Sequence, residues 1–204
     1  KWSPISTDGR ITKKQDSGFG GICEDKETYF QMIGLSLERL NHSLAVARKM
    51  KAMAERDIHF PHSPEDMFYL GLLHDAAYEF VEAQEEHERK GGTVLRDNGY
   101  KYWREIYYHG EPDSEYSSQA LDLLNYADMT TGSDGRDVSL EERLADIAMR
   151  YGEESIQHKK AQRLAEQISE RLILYWVTVW LSYGKNLCRI QLTQRLLSRS
   201  REAA

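Results

Sequence analysis

Cysteine is scarce: only Cys23 and Cys188 occur among 204 residues. They lie far apart and form no CxxC pair, which argues against a disulfide framework or a thiolate zinc site, and a reducing cytoplasm is the expected setting. Only four prolines interrupt the chain, so long stretches are free to be helical. No apolar run is long. The longest, Leu172 to Leu181, covers ten residues, against about 20 for a helix that spans a bilayer. A membrane partner is therefore not expected. Basic excess is missing too: the formal net charge is -6. That leaves no broad basic surface for a nucleic-acid backbone, so an anionic substrate would have to be gripped locally. No charged-then-apolar leader opens the sequence, and a retained secretion signal is not expected.

What is present is an ordinary globular composition, 40% hydrophobic and 29% charged, in a length that suits one core. Lys1 to Glu24 is rich in Gly, Ser, Asp and Lys without apolar periodicity, and residues 1–26 read as an irregular arm. From Phe30 the apolar residues Ile33, Leu37, Leu40, Leu44 and Ala47 step by three and four, which predicts a helix to about Arg56. Leu35, His42, Val46 and Met53 form a second apolar face, so this helix should be central and His42 should point into protein. Ser63-Pro64-Glu65-Asp66 is a helix start: serine caps, proline suits the first turn, and the acids favour the positive end. The body that follows, Met67 to Leu73, is apolar all round and carries His74 and Asp75 to a place where water is scarce.

Further helices are predicted over Glu82 to Asn98, Tyr100 to Tyr108 and Ser117 to Asp128, with Gly99 and Gly110-Glu111-Pro112 as breaks. Ser139 and Glu142 make a capping box for a helix ending near Tyr151-Gly152. From about Glu154 a long helix should follow, with Leu164, Ile168, Leu172, Trp176 and Val179 on one stripe. Strand alternation is missing. The expected fold class is all-α, a helical bundle over residues 27–152 with a C-terminal helical extension over 153–204. Tyr175, Trp176 and Trp180 suit core packing, with a homodimer contact through that extension as the alternative.

Chemistry concentrates in His42, His74-Asp75, His87, His109 and Asp128, which fall at helix ends or on buried faces. A lone histidine on an apolar face is usually a hydrogen-bonded core residue, and a salt bridge or a helix cap is the plain alternative for Asp128. The carboxylates shift that balance, because an unpaired one among apolar residues is strongly disfavoured without a cation or hydrogen bonds. A mixed imidazole and carboxylate set suits a borderline first-row divalent metal. Iron or manganese is the first expectation, with zinc, nickel, cobalt and magnesium open.

Arg39-Leu40-Asn41-His42-Ser43-Leu44-Ala45-Val46-Ala47, then Leu72-Leu73-His74-Asp75, then Asn125-Tyr126-Ala127-Asp128 resemble, in order and helical context, the HD-domain superfamily of metal-dependent phosphohydrolases. His87-Glu88-Arg89-Lys90-Gly91-Gly92 and Ile106-Tyr107-Tyr108-His109 are similar to the extra histidine motifs of its two-metal members. The resemblance covers about Tyr29 to Arg150. It implies that His42, His74, Asp75 and Asp128 hold one ion and that Asp75, the residue expected at the reacting centre, bridges to a second ion held by His87 and His109. Two ions so placed orient an attacking water and stabilise the charge that develops on phosphate oxygens. The order of the motifs, the spacing from His109 to Asp128 and the loop Gly135-Arg136-Asp137 most resemble small bacterial enzymes that split symmetrical diadenosine tetraphosphate. Two departures stand out. Gly-Glu-Pro-Asp-Ser-Glu follows His109 where those enzymes have a basic, threonine-containing stretch, and Tyr78 occupies the neighbourhood where many members place a lysine. Gly91 and Gly92 signal either a close backbone approach beside the His87 helix or a helix break.

The implied activity is hydrolysis of a phosphate ester or phosphoanhydride in a small phosphorylated substrate, a nucleotide by the resemblance. Lys90, Arg136 and Arg143 are the basic residues nearest the motifs for gripping phosphate, each with a solvated or salt-bridged surface role as its plain alternative. Glu82, Glu85 and Glu86 read as a solvated face. Two other classes stay open: a dinuclear iron oxygenase of the same fold, for which Tyr78 is a further candidate neighbour of the metals, and a non-catalytic regulatory module that keeps its metal for structure. Nucleic acid is not expected as a partner, because no basic cluster offers the backbone a path.

Overall fold

The computed structural model describes residues 35–57, 60–83 and 86–171. The N-terminal arm, both cysteines and the aromatic stretch around Trp176 lie outside them. The helices are α1 (Leu37–Arg56), α2 (Pro64–Leu73), α3 (His87–Asp97), α4 (Trp103–Tyr108), α5 (Gln119–Met129) and α6 (Leu140–Tyr151). Residues 156–171 are helical again and are labelled α7. Tyr78–Phe80 forms one 3-10 turn, and an isolated bridge between Thr131 and Asp137 closes the loop after α5. No strand occurs among the described residues, so the expected all-α class is what the chain adopts. The described residues divide into two compact units between Ala165 and Glu166. Among them no helix is long and apolar enough to cross a membrane.

The helix starts follow from their caps. Ser36 accepts from the Arg39 N–H, Ser63 from Asp66, Ser118 from Leu121, and Ser139 from Glu142 in a reciprocal box with the Glu142 side chain. Each capped N–H is one of the donors that a helix start otherwise leaves without a partner. Packing then decides the layout. Val46 and Met50 of α1 meet Met67 and Leu70 of α2, Ile106 of α4 and Leu124 and Ala127 of α5 in one cluster. The opposite side of α1 puts Leu40, Leu44 and Ala47 against Phe68 and Leu72. Both faces of α1 are thus buried, as its two apolar stripes predict, and fully burying each such side chain is worth about 1.5–3 kcal/mol.

Three starts differ from expectation. The helix expected from Phe30 begins at Leu37, where Ser36 is extended (φ -62°, ψ 156°) and caps it; residues 30–34 lie outside the described residues. The helix expected from Glu82 begins at His87, because the chain bends at Glu82 and Ala83 after the 3-10 turn. The helix expected from Tyr100 begins at Trp103, since the Gly99 and Tyr100 N–H groups are spent on the Arg96 and Leu95 carbonyls that end α3. Gly91 and Gly92 do not break α3. A Cβ on Gly92 would stand 2.5 Å from Tyr107 Cβ and 2.7 Å from Tyr107 Cα, so the glycine allows α3 and α4 to touch backbone to backbone.

Candidate metal centre

The site is assembled from helix ends around the second turn of α1. His42 projects from α1 with 1% exposure; its Nδ1 lies 3.0 Å from the Gly132 carbonyl and its Nε2 3.0 Å from Asp128 Oδ1. His74, at the end of α2, has Nδ1 2.7 Å from the Gly71 carbonyl. His109 ends α4 in the same way, its Nδ1 2.6 Å from the Ile106 carbonyl. A carbonyl only accepts, so in all three rings Nδ1 must carry the hydrogen and Nε2 of the neutral ring is left with a lone pair.

Those lone pairs face carboxylates. His74 Nε2 is buried without a hydrogen-bond partner, 3.3 Å from Asp75 Oδ2 and 3.8 Å from Asp128 Oδ1. Asp75 divides its oxygens between two groups of rings. Oδ2 faces His74 and, at 3.9 Å, His42 Nε2; Oδ1 faces His87 Nε2 at 3.0 Å and His109 Nε2 at 3.7 Å. An imidazole lone pair against a carboxylate lone pair is repulsive unless a proton or a cation lies between them. Ligands about 2.0–2.2 Å from a first-row ion stand about 3 Å from one another when adjacent, close to the separations seen. The donor atoms of His42, His74 and Asp128, and those of His74, Asp75 and His109, each converge within 4.8 Å, so the donor set fits a divalent metal site.

The carboxylates are held ionised for that task. Burial pushes the Asp75 carboxyl up, but the His74, His109 and His87 rings gathered around it outweigh burial and hold Asp75 well below the ordinary range. Asp128 follows the same pattern: burial raises it, and the His42 ring against it, with His74 and Arg143 beyond, brings it down. Arg39 Nη1 donates to Asp75 Oδ2 at 2.6 Å, and its guanidinium lies 3.5 Å above the centre of the Tyr78 ring. The Tyr78 ring in turn stands 5.0 Å from that of His87.

All six residues expected as ligands therefore meet in one place. The three basic residues expected to grip phosphate do not. Arg143 reaches the centre, its Nη2 3.9 Å from Asp128 Oδ1, with Nε and Nη1 buried and without a hydrogen-bond partner. Arg136 has a side chain 73% exposed and pairs with Asp134, while Lys90 is exposed on the outer side of α3. Arg39 was not singled out as a site residue by the sequence reading; its place three residues before His42, on the same helix face, was the available signal.

A family model described as HD domain matches residues 39–151. The chain belongs to the HD-domain family. The match begins at the arginine that anchors Asp75 and ends with α6, so it takes in every residue of the centre. No curated protein and no solved structure matches the chain. HD domains are typically metal-dependent hydrolases of phosphate bonds, and the clustered histidines and aspartates fit that general chemistry.

Proposed function

We propose that this HD-domain protein is a two-cation phosphohydrolase that cleaves a phosphate ester or phosphoanhydride of a nucleotide or another small phosphorylated molecule. The observation that carries the reading is the pairing of ring nitrogens with carboxylates. Three rings have Nδ1 on a main-chain carbonyl and Nε2 aimed at a carboxylate, and Asp75 offers one oxygen to each half of the site. His42, His74, Asp75 and Asp128 would hold the first cation, and Asp75, His87 and His109 the second. Cations bound there would supply Lewis acidity toward phosphate oxygens and would acidify water.

The chain's own residues do the rest. Arg39 fixes Asp75 through its 2.6 Å hydrogen bond and stays in place on the Tyr78 ring. Arg143, whose Nε and Nη1 make no hydrogen bond and whose Nη1 has Asp146 Oδ2 at 3.6 Å, is suited to donate to a phosphoryl oxygen in a charge-assisted hydrogen bond. We assign the catalytic core to residues 27–152, with 1–26 as an arm and 153–204 as an extension through which two copies would associate. We place it in the cytoplasm, a reducing setting that the scarcity of cysteine suits.

The test is metal content by mass spectrometry on anaerobically purified protein, joined to a phosphate-release screen across nucleotides and dinucleoside polyphosphates, symmetrical diadenosine tetraphosphate included, with manganese or iron added. About two metals per chain with release from a few nucleotides is the expected result. Two irons with oxygen consumption and no phosphate release would instead select an oxygenase, the reading that the Tyr78 ring beside His87 keeps in view. Bound metal without turnover would select a regulatory module, and absence of metal would end the catalytic reading.

A further inference from the structure

Lys49 is a largely buried ammonium that the reaction outlined above does not use. It stands on α1 two turns beyond His42, so the two side chains leave the same side of the helix. Its side chain is 19% exposed, and its Nζ meets three oxygens: the Thr130 carbonyl at 2.5 Å, Thr130 Oγ1 at 3.1 Å and Asp137 Oδ1 at 2.6 Å. An ammonium has three hydrogens, so all of its donors are committed. Asp137 is 88% exposed and contributes little as a counter-charge at that exposure. What this ammonium holds is the residue at which α5 ends.

The loop beginning at Thr130 reaches both halves of the His42–Asp128 contact. Thr130 Oγ1 donates to the Tyr126 carbonyl, so its lone pairs are turned to Lys49. Thr131 Oγ1 donates to the Ala127 carbonyl at 2.7 Å, one residue before Asp128. Val138 N–H donates to the Thr130 carbonyl and Gly132 N–H to the Arg136 carbonyl, which closes the loop on itself. Gly132 then presents the carbonyl that takes the His42 Nδ1 hydrogen. We infer that Lys49 is a positioning residue for the first cation: by pinning Thr130 it fixes the Gly132 carbonyl, and with it the direction of His42 Nε2 toward Asp128. The inference rests on reading His42, His74 and Asp128 as ligands of that cation.

Partners one step behind a metal ligand typically alter affinity 10- to 100-fold. Lys49 acts one link further back, so a change of about 10-fold is expected. The experiment titrates full-length, chelator-stripped protein with Mn2+ alone, followed by calorimetry and by electron paramagnetic resonance. His42→Ala and His87→Ala serve to assign which binding step belongs to which half. Lys49→Met should weaken, by about 10-fold, the step that His42→Ala abolishes and leave the step that His87→Ala abolishes within about twofold. Lys49→Arg, which keeps several donors on a long stem, should restore most of the affinity, and Asp137→Asn should change neither step. Thr130→Val, which removes the hydroxyl and keeps the shape, should shift the same step in the same direction and covers the case in which Lys49→Met does not fold. Equal weakening of both steps, or no change in the first, overturns the inference while leaving the metal centre intact. Wild-type protein that takes up no Mn2+ overturns the metal centre and the inference together.

Discussion

One added methyl group on α3 probes how closely the helices carrying His87 and His109 approach. In Gly92→Ala the new Cβ would lie 2.5 Å from Tyr107 Cβ, 2.7 Å from its Cα and 2.8 Å from its nitrogen. Carbon atoms at rest stand about 3.5–4.0 Å apart, so α3 and α4 would have to part by about 1 Å. Two of those three atoms are backbone, which cannot swing aside as a side-chain tip can. Overpacking of this kind costs about 1–3 kcal/mol, against the 0.5–1 kcal/mol or so gained when alanine replaces glycine inside a helix. The net expectation is a loss of about 1–2 kcal/mol. Gly91→Ala is the control. Its Cβ would meet Ala77 Cβ and Ile106 Cγ2 at 3.5 Å, an ordinary contact, so helix propensity should dominate and stability should rise by about 0.5–1 kcal/mol. Urea unfolding of both variants should move the midpoint in opposite directions at unchanged slope. Midpoints that move the same way for both would refute the close approach of the two helices.

Cation binding to the folded state alone should raise stability: Mn2+ at 100 times its dissociation constant adds about 2.7 kcal/mol, seen as a rise in unfolding temperature that a chelator reverses and Asp75→Asn largely removes. Ser139→Ala should cost about 1 kcal/mol of stability at neutral pH through loss of the α6 cap. The hydrogen bond from the Ser139 N–H holds the Glu142 carboxyl below the usual glutamate range. Because that folded-state value is lowered, the stabilisation is complete above the unfolded value of about 4.3 and is lost as pH falls through the folded one. The gap between wild type and Glu142→Gln in urea midpoint should therefore close in that acid window and persist at neutral pH. Leu70→Ala, at a fully buried position between α1 and α5, should cost about 2–5 kcal/mol by the same unfolding measurement.

Helix starts were legible where a side chain states them: Ser63-Pro64 and the Ser139–Glu142 box cap as their sequences predict. The run Glu82 to Glu86 was misleading because glutamates favour helices anywhere, whereas the bend at Glu82 and Ala83 that delays α3 depends on how the chain leaves the 3-10 turn after Asp75. Among site residues, the ligand histidines could be found because each sits at a helix end or on an apolar stripe. Lys49 could not, since a cation on a helix has the same sequence signature whether it faces solvent or reaches across to Thr130. Glu88 and Lys160 illustrate the same limit: their side chains come within 3.9 Å, and nothing local in either segment announces the other. Arg136 shows the converse, a residue near the motifs in sequence that turns to solvent with Asp134.

The carbonyls that take the His74 and His109 hydrogens belong to the last turns of their own helices, where main-chain oxygens run out of partners. Folding itself therefore sets these rings, and an arriving ion meets a receptor already in shape. Ordering a side chain at the moment of binding costs about 0.5–1.5 kcal/mol, and here that cost falls on the folding reaction. A frame fixed in this way does not adapt itself to one visitor. Several first-row ions of similar radius would fit the same opening, ranked by their intrinsic affinities, so the ion the protein carries is governed by what its surroundings supply.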